Sequence, residues 1–144
     1  MDKTTCLAIL QELYKNNTFM HFCDIKVEDV ACGESTVSML IDADKHTNLN
    51  GVVHGGALEA LADVAVGVAC SSVGANVVTL NFTMSFIKNI PPGEKAICHG
   101  KVRHHGRTTI VVDFDMVNEA GKLLCNGLAT MFVKSIREEI PAKW

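Results

Sequence analysis

NLNGVVHGGALEALADVAVGVACSS, Asn48 to Ser72, sets the architecture of this 144-residue chain. From Ala57 to about Ser72 it is dense in Ala, Leu and Val, too long for one strand and apolar on nearly every face. That pattern predicts a buried helix. The residues before it, DADKHTNLNGVVHGG, are rich in Asp, Asn and Gly and predict a long loop. The helix therefore begins at His54-Gly55-Gly56, where Ser, Thr, Asp or Asn would ordinarily cap it. Two glycines there leave backbone N–H groups bare at the positive end of the helix macrodipole. Such a start can hold an anion or a developing oxyanion, or simply make a tight loop-to-helix turn. Asp63 stands mid-helix among Ala, Val and Leu. Burying a carboxylate there costs several kcal/mol unless it is paired or faces a cavity. Glu59 lies one turn earlier, which keeps open the plainer reading that both acids face solvent.

On the N-terminal side, Glu34 to Asp42 alternates cleanly, with Val37, Met39 and Ile41 on one face, and predicts a strand. Phe22 to Val30 alternates imperfectly, with a turn at Cys32-Gly33. Thr4 to about Lys15 suits an amphipathic helix within an N-terminal helical segment spanning 1–17. On the C-terminal side, Val77–Lys88, Lys95–His104, Thr108–Val117 and Lys122–Lys134 read as strands. Their short connections predict antiparallel pairing of consecutive strands. The expectation is one α+β domain over residues 1–144, a long central helix wrapped by a curved antiparallel β-sheet.

The chain is 48% hydrophobic and 20% charged, with a net charge of −3, which excludes a disordered chain. Thirteen basic residues against 16 acidic ones, with no Lys/Arg block, argue against nucleic-acid binding. The longest apolar stretch, Gly51–Gly74, contains His54, Glu59 and Asp63 and so argues against a membrane span. The opening MDKTTCLAILQELYKNN has no signal-peptide pattern. The six cysteines form no CxxC pair and are expected to be reduced, buried residues of a cytoplasmic protein. No His/Cys set has metal-ligand spacing, so no metal is expected.

Weaker signals surround the helix start. Asn48 can donate an amide hydrogen bond or form a turn through its own backbone. His54 can donate or merely order the loop, and Thr79 is an ordinary strand residue. Met84, Phe86, Val66 and Cys70 suit either an acyl pocket or the core.

Asn48, Gly51, His54, Gly55, Gly56 and Asp63 taken together resemble the hot-dog-fold acyl-CoA thioesterases of the phenylacetic-acid-degradation (PaaI) type, within the 4-hydroxybenzoyl-CoA thioesterase superfamily. The resemblance covers roughly Glu34 to Val133. It implies that Asp63 is the catalytic carboxylate, as general base on water or as nucleophile. The Gly55 N–H would hold the oxyanion, Asn48 and His54 would position thioester or water, and Thr79 would orient water beside the acid. It also implies coenzyme A as part of the substrate with no required cofactor, and Arg107 as a contact to its phosphates. The site would span a homodimer interface, with the dimers often paired into a homotetramer. A hot-dog hydratase or dehydratase is a rival, disfavoured because the helix carries no His. A non-catalytic acyl-CoA sensor would want a DNA-binding segment, for which Met1–Asn17 is too short and too weakly basic. The thioesterase chemistry needs little: one oxyanion donor contributes about 2.7–4 kcal/mol, and general-base help about 10²–10⁴ in rate.

Overall fold

The computed structural model describes residues 1–144. Its order is α1 (Lys3–Tyr14), α2 (Thr18–Phe22), β1 (Ile25–Ala31), β2 (Glu34–Leu40), α3 (Gly55–Ser71), β3 (Ala75–Phe86), β4 (Lys95–His105), β5 (Thr109–Asn118) and β6 (Leu123–Ile136). The six strands form one antiparallel sheet in the order β1-β2-β4-β5-β6-β3, and α3 packs against it. This is the expected α+β layout, a central helix wrapped by its sheet.

Local chemistry explains each piece. The Asp2 side chain caps α1 by accepting from the Thr5 N–H at 2.9 Å. Asn17 caps α2 through the Met20 N–H. That one-and-a-half-turn helix was not expected: five residues are too few for an apolar period to show, and its signal is the Asn cap alone. The alternation read in β5 holds, with Ile110, Val112, Phe114 and Met116 all buried. On α3, Leu58, Leu61, Ala62, Ala65, Val68 and Ala69 face the sheet in a 33-residue apolar core. All six cysteines are free and five are buried. Burial pushes the Cys70 thiol up to about 12 and Cys125 up to about 11, so both behave as small apolar side chains.

Two expectations are corrected. Among the four strands after α3, β4–β5 and β5–β6 pair as consecutive strands, but β3 and β4 do not. The Ile87–Glu94 connection carries β3 to the far edge, where it pairs with β6. Ile90 is buried along that route, and Ile41 exchanges backbone hydrogen bonds with Gly93 and Glu94 at 2.8 and 2.9 Å. A short connection thus crosses the sheet because its middle is anchored. Second, α3 is not buried all round: Glu59 and Asp63 lie on an exposed stripe.

Candidate active site

The loop before α3 is fixed from within by His46, a residue given no role by the sequence reading. Its buried imidazole accepts from the Asp42 N–H through Nδ1 (2.8 Å), which places the proton on Nε2 to donate to the Cys23 carbonyl (2.9 Å). The His46 carbonyl accepts from the His54 N–H at 2.6 Å. Asn48 takes the turn-forming fate: its Oδ1 accepts from the N–H groups of Asn50 and Val52 at 2.9 and 3.2 Å. Gly51, with φ of 68°, closes that turn in the left-handed region that favours glycine.

The helix start differs from the expected bare glycines. His54 is the N-cap, and its Nδ1 accepts from the Gly56 N–H at 3.0 Å. The Ala57 and Leu58 N–H groups both reach the His54 carbonyl. Of the four amides that a helix start leaves unpaired, Gly55 alone keeps its N–H without a partner. A side chain at Gly55 would meet the Phe86 ring, whose Cζ lies 3.2 Å from where a Cβ would stand. The amide opens on a cavity of about 350 Å³ lined by Val52, Val53, Leu58, Phe86 and Ile87. Of the four residues suited to an acyl pocket or to the core, Val66 and Cys70 are fully buried core, whereas Phe86 is exposed beside Gly55.

Of the two readings open for Asp63, the exposed one holds in the single chain, and the acid is engaged. Thr79 Oγ1 donates to its Oδ1 at 2.7 Å. The contact depends on an irregularity in β3: Thr79 pairs with Met131 and Asn81 with Thr130, leaving Leu80 as an extra residue. A bulge of this kind re-aims the adjoining side chain, and a period-2 reading of the sequence cannot locate it. Neither Asn48 nor Arg107 hydrogen-bonds this pair. Arg107 is exposed between β4 and β5 without an ion pair.

Gly55 and Asp63 are eight residues apart on one helix, hence about 12 Å apart along its axis. One carbonyl cannot touch both within a single chain. Beyond Asp63 a second cavity of about 310 Å³ opens, bounded by Tyr14, Gly67, Ser71, Asn76 and Arg137. These residues escaped the sequence reading, although Glu59, Asp63, Gly67 and Ser71 recur at four-residue intervals, the signature of one helix face.

A family model of the thioesterase superfamily matches residues 50–125. The acyl-coenzyme A thioesterase PaaI of Escherichia coli is 32% identical over 112 residues, which is 76% of this chain and 78% of that protein. The structure of the E. coli PaaI protein from the phenylacetic acid degradation operon superposes with a TM-score of 0.87 at 25% identity, over 94% of this chain and 97% of its own. A thioesterase protein of Streptococcus pneumoniae, solved with coenzyme A, superposes with a TM-score of 0.81 at 28% identity, over 89% of this chain and 99% of its own. With its helix-wrapping sheet and these matches, the chain belongs to the thioesterase superfamily and has that family's hot-dog fold.

Proposed function

We propose that the protein hydrolyses acyl-CoA thioesters at a site completed by two copies of the chain, with Asp63 as the carboxylate and the partner's Gly55 N–H as the oxyanion donor. The observation that carries this is the separation of the two groups. A carboxylate and a free helix-start amide about 12 Å apart on one helix serve a single carbonyl only if a second, antiparallel copy faces the first.

The edge of the sheet supports that arrangement. β3 is twelve residues long and lacks a strand on its outer side, and it exposes Val78, Leu80 and Phe86. A long apolar edge of this kind invites pairing with another chain. Two β3 strands joined across a two-fold axis give a homodimer with a continuous sheet; pairing of dimers gives the homotetramer.

In the completed site Asp63 removes a proton from the water that attacks the thioester carbon, or attacks that carbon directly to give an anhydride that water then hydrolyses. In either case the C–S bond breaks and coenzyme A leaves as its protonated thiol. Thr79 holds one carboxylate oxygen and so fixes the direction of the other. The Gly55 amide receives the negative charge that develops on the carbonyl oxygen. His54, its Nδ1 held by Gly56, keeps that amide in place, and Asn48 keeps the loop closed. Arg107, without an ion pair of its own, is the contact for the nucleotide phosphates of coenzyme A. Chain chemistry of this kind suits a cytoplasmic enzyme supplied with coenzyme A esters.

The test is turnover of a panel of acyl- and aryl-CoA esters by the wild type and by Asp63→Asn. The variant is expected to fold and assemble normally and to lose at least about two orders of magnitude in kcat. Undiminished turnover would remove Asp63 from the mechanism, and no turnover of any ester by the wild type would remove the hydrolase reading.

A further inference from the structure

The cavity beyond Asp63 has one polar end. Along α3 its wall is Asp63, then Gly67, then Ser71, each one turn on. A Cβ at Gly67 would meet only the Tyr14 hydroxyl, at 3.4 Å. Glycine inside a helix is disfavoured relative to alanine, so this gap is kept at a cost to the helix. At the end remote from Asp63 the Tyr14 hydroxyl lies 3.2 Å from Ser71 Oγ, and Arg137 Nη2 donates to Asn76 Oδ1 at 3.1 Å.

Arg137 is the unusual member. It pairs with no carboxylate. Its Nε is the one buried side-chain nitrogen or oxygen in the molecule without a hydrogen-bond partner. Buried donors are nearly always satisfied, so a guanidinium with an orphan Nε and no carboxylate partner is a cation left uncompensated in the wall of this cavity. Burial pushes the Tyr14 phenol up to about 12, so it stays protonated and keeps an O–H able to donate.

We infer that the acyl group hydrolysed here ends in a carboxylate, received by Arg137 with the Tyr14 hydroxyl at the end of the cavity remote from Asp63. The substrate class is therefore the coenzyme A half-thioesters of short dicarboxylic acids, an inference that rests on the thioesterase reading of Asp63. Length agrees with it. Asp63 and Ser71 are about 12 Å apart along the helix. A contact of about 3 Å at each end leaves about 6 Å between the thioester carbon and the terminal carboxylate. Arg137 also offsets the repulsion that Asp63 would exert on such a substrate.

The experiment compares adipoyl-CoA with hexanoyl-CoA, equal in chain length and different only in the terminal carboxylate. Wild-type kcat/KM is expected to favour adipoyl-CoA by about tenfold or more. Arg137→Gln should lower that ratio at least tenfold, through KM rather than kcat, because the contact is remote from the reacting carbon and equally strong before and during reaction. Tyr14→Phe should lower it less. A damaged fold lowers both esters together and leaves the ratio unmoved. A wild-type ratio of one or below, or an unmoved ratio in an Arg137→Gln protein that retains its turnover of hexanoyl-CoA, overturns the inference. Calorimetric binding of the two esters to Asp63→Asn repeats the comparison without turnover. Tighter binding of adipoyl-CoA with no hydrolysis by the wild type would sink the hydrolase reading and keep only the carboxylate-binding site at Arg137; hydrolysis without preference would do the reverse.

Discussion

The two edges of the sheet are built in opposite ways. β1 is seven residues long, irregular at Glu28, and lined on its exposed face by Lys26 and Glu28. α1 lies against it, the Gln11 side-chain amide donates to the Val27 carbonyl at 3.0 Å, and Lys3 pairs with Asp29 at 2.6 Å. β3 is nearly twice as long, carries Leu80 at 59% and Phe86 at 52% exposure, and has no strand paired on its outer side. One edge has been closed by charge, shortness and a covering helix; the other retains what a second strand needs. In the proposed dimer, association is therefore refused at β1 and accepted at β3. The accepting edge is the one that carries Thr79, and through it Asp63.

Placing a charge on the open edge is the most disruptive way to test that contrast. Leu80→Glu should leave a folded chain that sediments as a monomer. Its turnover should fall at least about a hundredfold, because the oxyanion donor leaves with the partner. Lys26→Glu on β1, the matching control, should change neither sedimentation nor turnover. A Leu80→Glu protein that remains dimeric and active would show that β3 is not the adhesive edge.

Thr79→Val sharpens the comparison within β3 itself. It keeps the strand's volume and removes the 2.7 Å bond to Asp63. Hydrogen bonds to charged groups contribute about 1.5–3 kcal/mol, and an exposed one sits at the low end, so kcat should drop about tenfold. Assembly should be unaltered. A loss of the dimer would mean that Thr79 serves the interface instead of the acid.

How much of this could be read from residues follows from which signals are local. The α3 helix, the alternation in β5 and the His54-Gly55-Gly56 start are local periodicities and turn chemistry, and they were legible. The path of β3 was not, because pairing with β6 instead of β4 depends on Ile90 being anchored more than forty residues from Ile41, the residue whose backbone meets Gly93 and Glu94. The cap was half legible: His54 was singled out, but that its Nδ1 would take the Gly56 N–H and leave only Gly55 free is a matter of rotamer and loop closure by His46. The exposure of Asp63 stayed open because composition cannot tell a helix buried in its own chain from one with a stripe left uncovered. Arg137 and Tyr14 were invisible, being 74 and 49 residues from Asp63 in sequence and near it only through the fold.

The smallest effect is expected at the closed edge. Gln11→Met preserves helix propensity in α1 and side-chain length while deleting the donor to the Val27 carbonyl. One hydrogen bond to a part-buried carbonyl contributes about 1 kcal/mol, so the urea midpoint should fall by about half a molar with an unchanged slope. Turnover and sedimentation should stay as in the wild type, because α1 still covers the strand and the charges of Lys26 and Glu28 still face outward. If Gln11→Met instead drives the protein into larger assemblies, the single side-chain amide, and not the helix and the charges, is what keeps β1 from acting as a second β3.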